Sequence, residues 1–211
     1  MGVLHLEVFI VSSLIFAITP GIDTIFVLNK SLAHGRKAAV YATLGVNTGI
    51  LVHTLIGALG LSIILVKSAI AFSLFKFLGA IYLIYMGLTK IFKKGGSLEI
   101  SDINSAEGSV SAFKHFYSGV FTNVLNPKVA LFFLAFFPQF IAEEKLSNPI
   151  PFLVLGITNA LIGLSWYFLL SFFSGLFSQK LKENPTFNKW FDKISGLAFI
   201  AFGVKIAVDG R

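Results

Sequence analysis

The 211-residue chain is strongly apolar: 55% of its residues are hydrophobic, 13% are charged, and the mean hydropathy is +0.83. A soluble domain carries about 25% charged residues, so this composition excludes an ordinary water-soluble fold. The formal net charge of +7 is spread over short gaps between apolar stretches, which argues against a nucleic-acid-binding face. The sequence has no cysteine, which excludes disulfides and thiolate metal sites.

Six apolar stretches follow one another along the chain. They cover residues 4–28, 38–66, 69–92, 113–141, 150–177 and 190–208. A helix needs about 20 apolar residues to cross a bilayer, and helices satisfy their own backbone in lipid. The sequence therefore predicts an all-α integral membrane protein with six transmembrane helices. Because no Lys or Arg precedes the first stretch and no small-residue cleavage pattern follows it, we interpret it as a retained helix rather than a signal peptide.

The cationic residues indicate an orientation in the membrane. The first, third and fifth gaps contain most of the loop cations: Lys30, Arg36, Lys37, Lys90, Lys93, Lys94, Lys114, Lys180, Lys182, Lys189 and Lys193. The opposite side has only Lys67, Lys76, Lys145, Lys205 and Arg211. The positive-inside rule then predicts a multi-pass protein of an inner (plasma) membrane, with cytoplasmic odd-numbered loops and both termini outside.

Two of the six stretches are interrupted, the first by Thr-Pro-Gly at residues 19–21 and the fourth by Asn-Pro-Lys at residues 126–128. Each interrupted stretch is the first of three consecutive apolar stretches. The sequence therefore predicts two three-helix repeats, residues 1–92 and 113–211, joined by a polar cytoplasmic connector at residues 93–112. The repeats must be inverted, because an odd number of crossings reverses the direction of the chain. Interrupted segments at matching places in two halves indicate the binding site of a transporter.

The interruptions resemble helix starts deep in the membrane. Thr19 and Asn126 are typical N-cap residues, and Pro20 and Pro127 suit the first helical position. Unpaired amides and a partial positive charge at such starts would attract a carboxylate. The alternative is a pair of prolines that only kink two helices for packing. The predicted substrate-binding residues are Thr19, Pro20, Gly21, Asp23, Asn126, Pro127 and Lys128.

Asp23 and Lys128 place opposite charges just after the two interruptions. A charge near the bilayer centre costs roughly 2.5–3.5 kcal/mol on insertion scales, so we expect each of these residues to have a structural or functional role. Asp23 either stabilises its helix start or takes part in transport. A cation at a helix N-terminus opposes the helix dipole, so we expect Lys128 to have an anionic partner, either Asp23 or a substrate carboxylate. The alternative is that Lys128 extends to the membrane surface.

The second stretch carries a ridge of glycines. Gly45, Gly49 and Gly57 recur every four residues together with His53, which allows close contact with a neighbouring helix. His53 is a candidate to carry a coupling proton, as is Asp23. The sequence leaves open whether His53 instead ties two helices by a hydrogen bond. Asn123, at a similar depth, is interpreted as one of several polar contacts between helices.

These residues resemble the motifs of the LysE/RhtB superfamily of bacterial amino-acid exporters, in particular its threonine/homoserine/homoserine-lactone branch. The similar segments are Thr19–Asp23, the Gly45, Gly49 and His53 set, Thr122–Lys128 and Phe137–Phe140. Ile22 departs from the family pattern, which usually has a second proline there. The resemblance implies export of an amino acid or derivative, threonine-, homoserine- or lysine-like, driven by the proton gradient and without a cofactor.

Two other classes of function are alternatives to export of an amino acid. A divalent metal-ion exporter is the main alternative, but one Asp and one His without Cys are few ligands for an intramembrane metal site. An enzyme is not expected, because no nucleophile and base occur at a suitable spacing and no metalloprotease motif occurs. The expected partners are the solute, protons and lipid, and the sequence leaves a homodimer open.

Overall fold

The computed structural model describes residues 2–61, 69–92, 111–183 and 185–208, and these residues form helices without a β-strand among them. The helices are α1 (Leu6–Ile18), α2 (Ile22–Ile56), α3 (Ala69–Phe92), α4 (Ala112–Val124), α5 (Pro127–Leu131), α6 (Pro149–Glu183) and α7 (Pro185–Val208). A π-helical turn (Gly57–Leu61) follows α2. A second π-helical turn (Phe132–Phe136) and two 3₁₀ turns (Phe137–Phe140 and Glu143–Lys145) follow α5. The prediction of an all-α chain is confirmed for the described residues.

Several of these helices are long and apolar enough to cross a membrane. Within the described residues they are Ile22–Gly60, Pro149–Leu176 and, counted as one broken span, Ala112–Val124 with Pro127–Phe140, which are bent by 48°. The apolar segments Leu6–Ile18 and Phe77–Thr89 are shorter. The predicted third stretch has the same bounds as α3. Residues 62–66 of the second stretch and 93–110 of the predicted connector lie outside the described residues.

α2 folds back on itself at Gly35. The φ of this residue is 78° and its ψ is 176°, a conformation open mainly to glycine. Asp23 hydrogen-bonds to Asn123, and a Cβ added at Gly49 would lie 2.6 Å from the Oδ1 of the same Asn123. In a continuous helix, residues 23 and 49 would be about 39 Å apart. The chain therefore reverses at Gly35, between a first arm (residues 22–34) and a second arm (residues 36–56).

The sequence places this reversal correctly but ends the helix too early. The predicted first stretch stops at residue 28, whereas the first arm remains helical up to Gly35. A single positive-φ glycine can reverse the chain without an extended loop, so the polar residues before it stay helical.

Contacts with α6 confirm that the two arms run in opposite directions. Four of these contacts set the directions: Thr24–Tyr167 and Ser31–Ser174 for the first arm, and Thr43–Ser171 and Thr54–Gly156 for the second. Residue numbers on the first arm rise with those on α6, so these two helices are parallel. Numbers on the second arm rise as those on α6 fall, so this pair is antiparallel.

Glycines bring two further helix pairs into backbone contact. A Cβ at Gly119 of α4 would lie 2.5 Å from the Ala42 carbonyl oxygen of the second arm, and a Cβ at Gly45 would overlap the Phe116 carbonyl. Gly87 of α3 and Gly196 of α7 approach in the same way, since each added Cβ would lie 2.5–2.7 Å from the carbonyl oxygen of the other. Small residues thus allow the close approach that holds helices together in lipid.

Aromatic rings join α1 to the turns after α5. Phe16 stacks on Phe132 with ring centroids 3.9 Å apart, and Phe9 meets Phe137 edge to face at 5.2 Å. The backbone adds to this contact, because Leu4 N donates to the Phe140 carbonyl at 2.8 Å. The start of the chain therefore lies at the same end of the molecule as the turn that follows residue 140.

We expect Gly45→Ala to lower the midpoint of thermal unfolding in detergent. The added methyl group would overlap the Phe116 carbonyl, and overpacking of this kind costs about 1–3 kcal/mol. Gly60→Ala is the matched control, because nothing lies within 4 Å of its added Cβ. An equal midpoint for both variants would contradict the close α2–α4 contact.

Candidate functional site

The first helix break comprises Thr19, Pro20 and Gly21. Thr19 is extended (φ −61°, ψ 115°), as expected for a residue before proline, and its hydroxyl donates to the Ile15 carbonyl at 2.6 Å. α2 begins after Gly21, without a side-chain cap. The prediction that Thr19 caps the second half-helix and that Pro20 opens it is therefore wrong. Thr19 ends α1, because its hydroxyl bonds backward to that helix.

The second helix break comprises Leu125 and Asn126, and here the predicted arrangement is present. The Asn126 Oδ1 accepts a hydrogen bond from Lys128 N at 3.0 Å, and Pro127 is the first residue of α5. Pro127 has no N–H, and the amides of Val129 and Ala130 bond to the Asn126 carbonyl. The expectation of unpaired amides at this start is therefore wrong, because the cap and the proline account for them all.

Asp23 extends from the first break to the second. Its Oδ2 accepts hydrogen bonds from Asn123 Nδ2 at 2.8 Å and from Asn126 Nδ2 at 3.1 Å. The exposed fraction of all three side chains is 4% or less. Two amide donors shared by one carboxylate oxygen therefore join the start of α2 to the end of α4.

Lys128 extends in the opposite direction, from the second break to the first. Its Nζ donates to the Phe16 carbonyl at 3.0 Å and to the Thr19 carbonyl at 2.9 Å, and it lies 4.3 Å from the centre of the Phe16 ring. Only 8% of Lys128 is exposed, so it does not extend to the membrane surface. Its charge interacts with that of Asp23. The C-terminal carbonyls of α1 are a partner that the sequence did not indicate, and a helix C-terminus attracts a cation.

Two oxygens of this cluster have no hydrogen-bond partner among the described residues. They are Asp23 Oδ1 and Asn123 Oδ1, both fully buried. An unsatisfied buried acceptor costs about 1–3 kcal/mol, and such groups in a native structure call for a functional or structural reason. A carboxylate and an amide oxygen left free in this way can accept hydrogen bonds from a cation such as an ammonium group.

The positive part of the cluster lies beside Gly21. A Cβ added at Gly21 would be 3.3 Å from Cδ and 3.4 Å from Nζ of Lys128. The start of α2, which follows Gly21, has no side-chain cap. An ammonium group and the amide end of a helix therefore lie close together, and both attract an anion. The arrangement thus places groups that attract an anion at Gly21 and acceptors suited to a cation at Asp23 and Asn123.

His53 contacts the same cluster from the second arm of α2. Its Nε2 lies 3.3 Å from the Asn123 carbonyl oxygen, and its ring stacks on Phe133 with centroids 5.5 Å apart. Since a carbonyl only accepts, Nε2 carries the hydrogen. The structure thus contains the helix-tying hydrogen bond that the sequence left open. Gly49 and Gly45 face α4, whereas Gly57 faces the rings of Phe152 and Phe133.

Asn123 is the functional candidate that the sequence underestimated. It contacts Asp23 through its side chain, His53 through its carbonyl and Gly49 through its Oδ1. It lies three residues before Asn126, in the last turn of α4 beside the break, which is a usable signal. The partner Asp23 is 100 residues away in the chain, so the sequence alone could not distinguish Asn123 from Asn47 or Asn159.

Comparison with known proteins found a family model and several relatives that match most of the chain. Residues 14–210 match the family model of the LysE type translocator. The chain is 35% identical to Uncharacterized membrane protein YrhP of Bacillus subtilis (strain 168), over 91% of this chain and 93% of the relative. It is 27% identical to the Leucine efflux protein of Enterobacter sp. (strain 638), over 98% and 96%. It is 29% identical to the Homoserine/homoserine lactone efflux protein of Salmonella typhimurium, over 73% and 72%. No solved structure matches.

We expect Asn126→Ala to destabilise the protein more than Asn148→Ala does. Both asparagines precede a proline and cap the next helix, since Asn148 Oδ1 accepts from Ile150 N at 2.9 Å. Losing either cap costs about 0.5–2 kcal/mol. Asn126→Ala also removes one of the two donors to buried Asp23 Oδ2. Thermal unfolding in detergent measures the difference, and equal destabilisation would show that the Asp23–Asn126 bond contributes nothing.

Proposed function

This chain belongs to the family of LysE type translocators, and we propose that it exports an amino acid or amino-acid derivative across the cell membrane. The observation that supports this most strongly is the pair of unsatisfied oxygens, Asp23 Oδ1 and Asn123 Oδ1, in a buried cluster where the charge of Asp23 interacts with that of Lys128. A zwitterion complements such a site because it carries one charge of each sign. The names of two relatives, a leucine and a homoserine exporter, support the same substrate class.

In the proposed complex, the substrate carboxylate binds at Gly21. It would lie between Lys128 Nζ and the uncapped start of α2, and the start of α5 would contribute no amide. The substrate ammonium would donate to Asp23 Oδ1 and Asn123 Oδ1. The rings of Phe16 and Phe199 near Lys128 favour a neutral side chain over a second charge. The roles of Thr19, Pro20, Asn126 and Pro127 are then to shape and join the two breaks.

The proposed architecture is six spans in two inverted repeats, residues 1–92 and 113–211, with the connector at residues 93–112 in the cytoplasm. Helix directions support it. The two arms of α2 are antiparallel, α4 is parallel to the second arm, and α3 is antiparallel to α7. These are the relative directions that six alternating crossings require. Contacts between α3 and α7 also fit a twofold relation. Gly87 and Gly196 are residues 19 and 12 of these two 24-residue helices, and the reciprocal pair Ala80 and Gly203, residues 12 and 19, is also in contact.

The proposed transport cycle depends on separation of the two breaks. The buried cluster is held shut by the bonds of Asp23 and Lys128, each of which crosses between the breaks. A zwitterion that takes over these bonds would lower the free-energy cost of separating the two breaks. The site would then open to one side of the membrane and afterwards to the other. We further propose that the coupling proton binds Asp23, and that His53 mainly ties α2 to α4 through Asn123.

The divalent metal-ion alternative has less support. No group of three or more His, Cys, Asp or Glu residues that could hold a metal occurs in the described part of the chain. An export assay tests the main proposal directly. Cells that express the protein are loaded with dipeptides, and efflux is measured for leucine, threonine, homoserine, homoserine lactone and lysine. Sensitivity of the same cells to divalent metals tests the alternative. Unchanged efflux of every amino acid would contradict the proposal.

We expect Asp23→Asn and Lys128→Met to abolish export while the protein still inserts into the membrane. Each change removes one of the two charges to which a zwitterion would bind, and a hydrogen bond to a charged group contributes about 1.5–3 kcal/mol. Lys145→Met is the matched control, since it removes a cation from an exposed turn. Normal export by both site variants, with insertion verified by membrane fractionation, would refute the assigned roles.

A second expectation separates Asp23 from His53 in proton coupling. His53→Gln keeps a donor for the Asn123 carbonyl but cannot carry a proton at neutral pH. In proteoliposomes with an imposed pH gradient, we expect His53→Gln to retain gradient-driven uptake. Asp23→Glu, which keeps the acid but alters its reach, should retain gradient dependence at a reduced rate. Loss of gradient dependence in His53→Gln alone would assign the coupling proton to His53 instead.

A further inference from the structure

Six hydroxyl groups line the interface between α6 and the two arms of α2. They are Thr24, Ser31, Thr43, Tyr167, Ser171 and Ser174, and we call this set the hydroxyl seam. The exposed fraction of each is 9% or less. On α6 the seam residues are four and three apart, so they follow one side of the helix over about 10 Å. This row of hydroxyls lies in an interface that also contains buried apolar residues, among them Val27, Leu28 and Leu170.

The seam begins at the candidate site. Thr24 follows Asp23 directly, and its side chain lies close to that of Tyr167, which is also near the Asp23 carboxylate. One turn further along α6, Ser171 Oγ lies 3.0 Å from Thr43 Oγ1. At the next position, Ser174 Oγ lies 2.6 Å from Ser31 Oγ. Hydroxyl contacts thus lead away from the buried carboxylate, step by step.

The seam ends in a cavity of about 350 Å³. Ser31, Ser171 and Ser174 line it together with Arg36, whose Nη2 lies 3.4 Å from the Phe172 carbonyl. Arg36 is exposed and immediately follows the reversal at Gly35. A guanidinium beside hydroxyls can bind a carboxylate. The cavity is therefore suited to receive one end of the same kind of solute as the buried site.

Two seam residues make hydrogen bonds that other hydroxyls on these helices do not make, although Ser171 Oγ also donates to the Tyr167 carbonyl of its own helix at 2.8 Å. Thr48, Thr158 and Ser165 each bond to the carbonyl four residues earlier in their own helix. Such bonds satisfy a hydroxyl in lipid without any partner helix. Ser31 and Thr43 instead pair with hydroxyls of another helix, and a hydroxyl can exchange such a partner for water or a polar solute at little cost.

We infer that the hydroxyl seam is the access path between the buried site and the side of the membrane on which Arg36 lies. The inference rests on the proposed function, because it gives the amino acid a route to Asp23 and Lys128. Arg36 and the seam serines would receive the solute in the cavity. Thr24 and Tyr167 would separate to admit it to the site. By the distribution of loop cations, that side is the cytoplasm, so the seam loads the exporter.

Absence of cysteine from the chain makes the path testable by thiol labelling. Ser171→Cys and Ser174→Cys are prepared one at a time, with Leu169→Cys as the control at similar depth on the opposite, exposed side of α6. A negatively charged, membrane-impermeant methanethiosulfonate is added to inside-out and right-side-out vesicles. Lys37→Cys, next to Arg36 and exposed, identifies the side on which the cavity opens.

We expect Ser171→Cys and Ser174→Cys to react about tenfold or more faster than Leu169→Cys, because a thiol in lipid stays protonated and unreactive. Labelling should occur from the side on which Lys37→Cys reacts, and the exported amino acid should slow it. Labelling of the seam cysteines no faster than Leu169→Cys, or from the opposite side only, would overturn the inference.

Failure of the proposed function would look different. A wild-type protein that exports no amino acid in these vesicles would refute export, whereas the labelling rates would still show whether water reaches Ser171. Normal export with unlabelled seam cysteines would leave the proposed function in place and remove the seam as its path.

Discussion

The buried carboxylate of Asp23 is the group on which the rest of the site depends. An anion in a low-dielectric interior is tolerated only when hydrogen-bond donors surround it. Two asparagine amides, about 100 positions later in the sequence, supply such donors to Asp23. Lys128 completes the arrangement from the opposite direction, since its ammonium is held by the last carbonyls of α1. Each break therefore satisfies a charge that belongs to the other, and neither would be stable in lipid alone.

Backbone geometry makes this meeting of the breaks feasible. Reversal of α2 at Gly35 returns the chain past Asp23, so that Gly49 and His53 approach Asn123 from a second direction. Because Gly45 and Gly119 lack side chains, α2 and α4 approach to backbone contact. The result is a polar cluster enclosed by helices on several sides, in which two acceptor oxygens have no hydrogen-bond partner among the described residues.

The contacts on the two sides of the cluster differ in polarity. On one side, Phe16 stacks on Phe132, and this aromatic contact joins α1 to the π-helical turn that follows α5. On the other side, hydroxyl pairs such as Ser31–Ser174 join α2 to α6. Separating stacked rings exposes apolar surface to water, whereas separated hydroxyls remain hydrogen-bonded to it. The hydroxyl pairs between α2 and α6 can therefore exchange their partners for water, whereas the apolar residues that pack at the same interface, among them Val27, Leu28 and Leu170, cannot.

The sequence by itself determined the all-α fold, the bounds of α3, the two breaks at Pro20 and Pro127, and the identity of the buried charges. Each of these is a local property, since proline ends a helix and a charge stands out in an apolar run wherever the chain goes. Only the tertiary structure decided that Thr19 ends α1, that α2 stays helical up to Gly35, and that Lys128 is bound by the carbonyls of α1. It also decided that Asn123, rather than Asn47 or Asn159, meets Asp23. These outcomes depend on which distant segment lies within hydrogen-bond distance, and contacts between residues 100 positions apart leave no mark on the local sequence pattern.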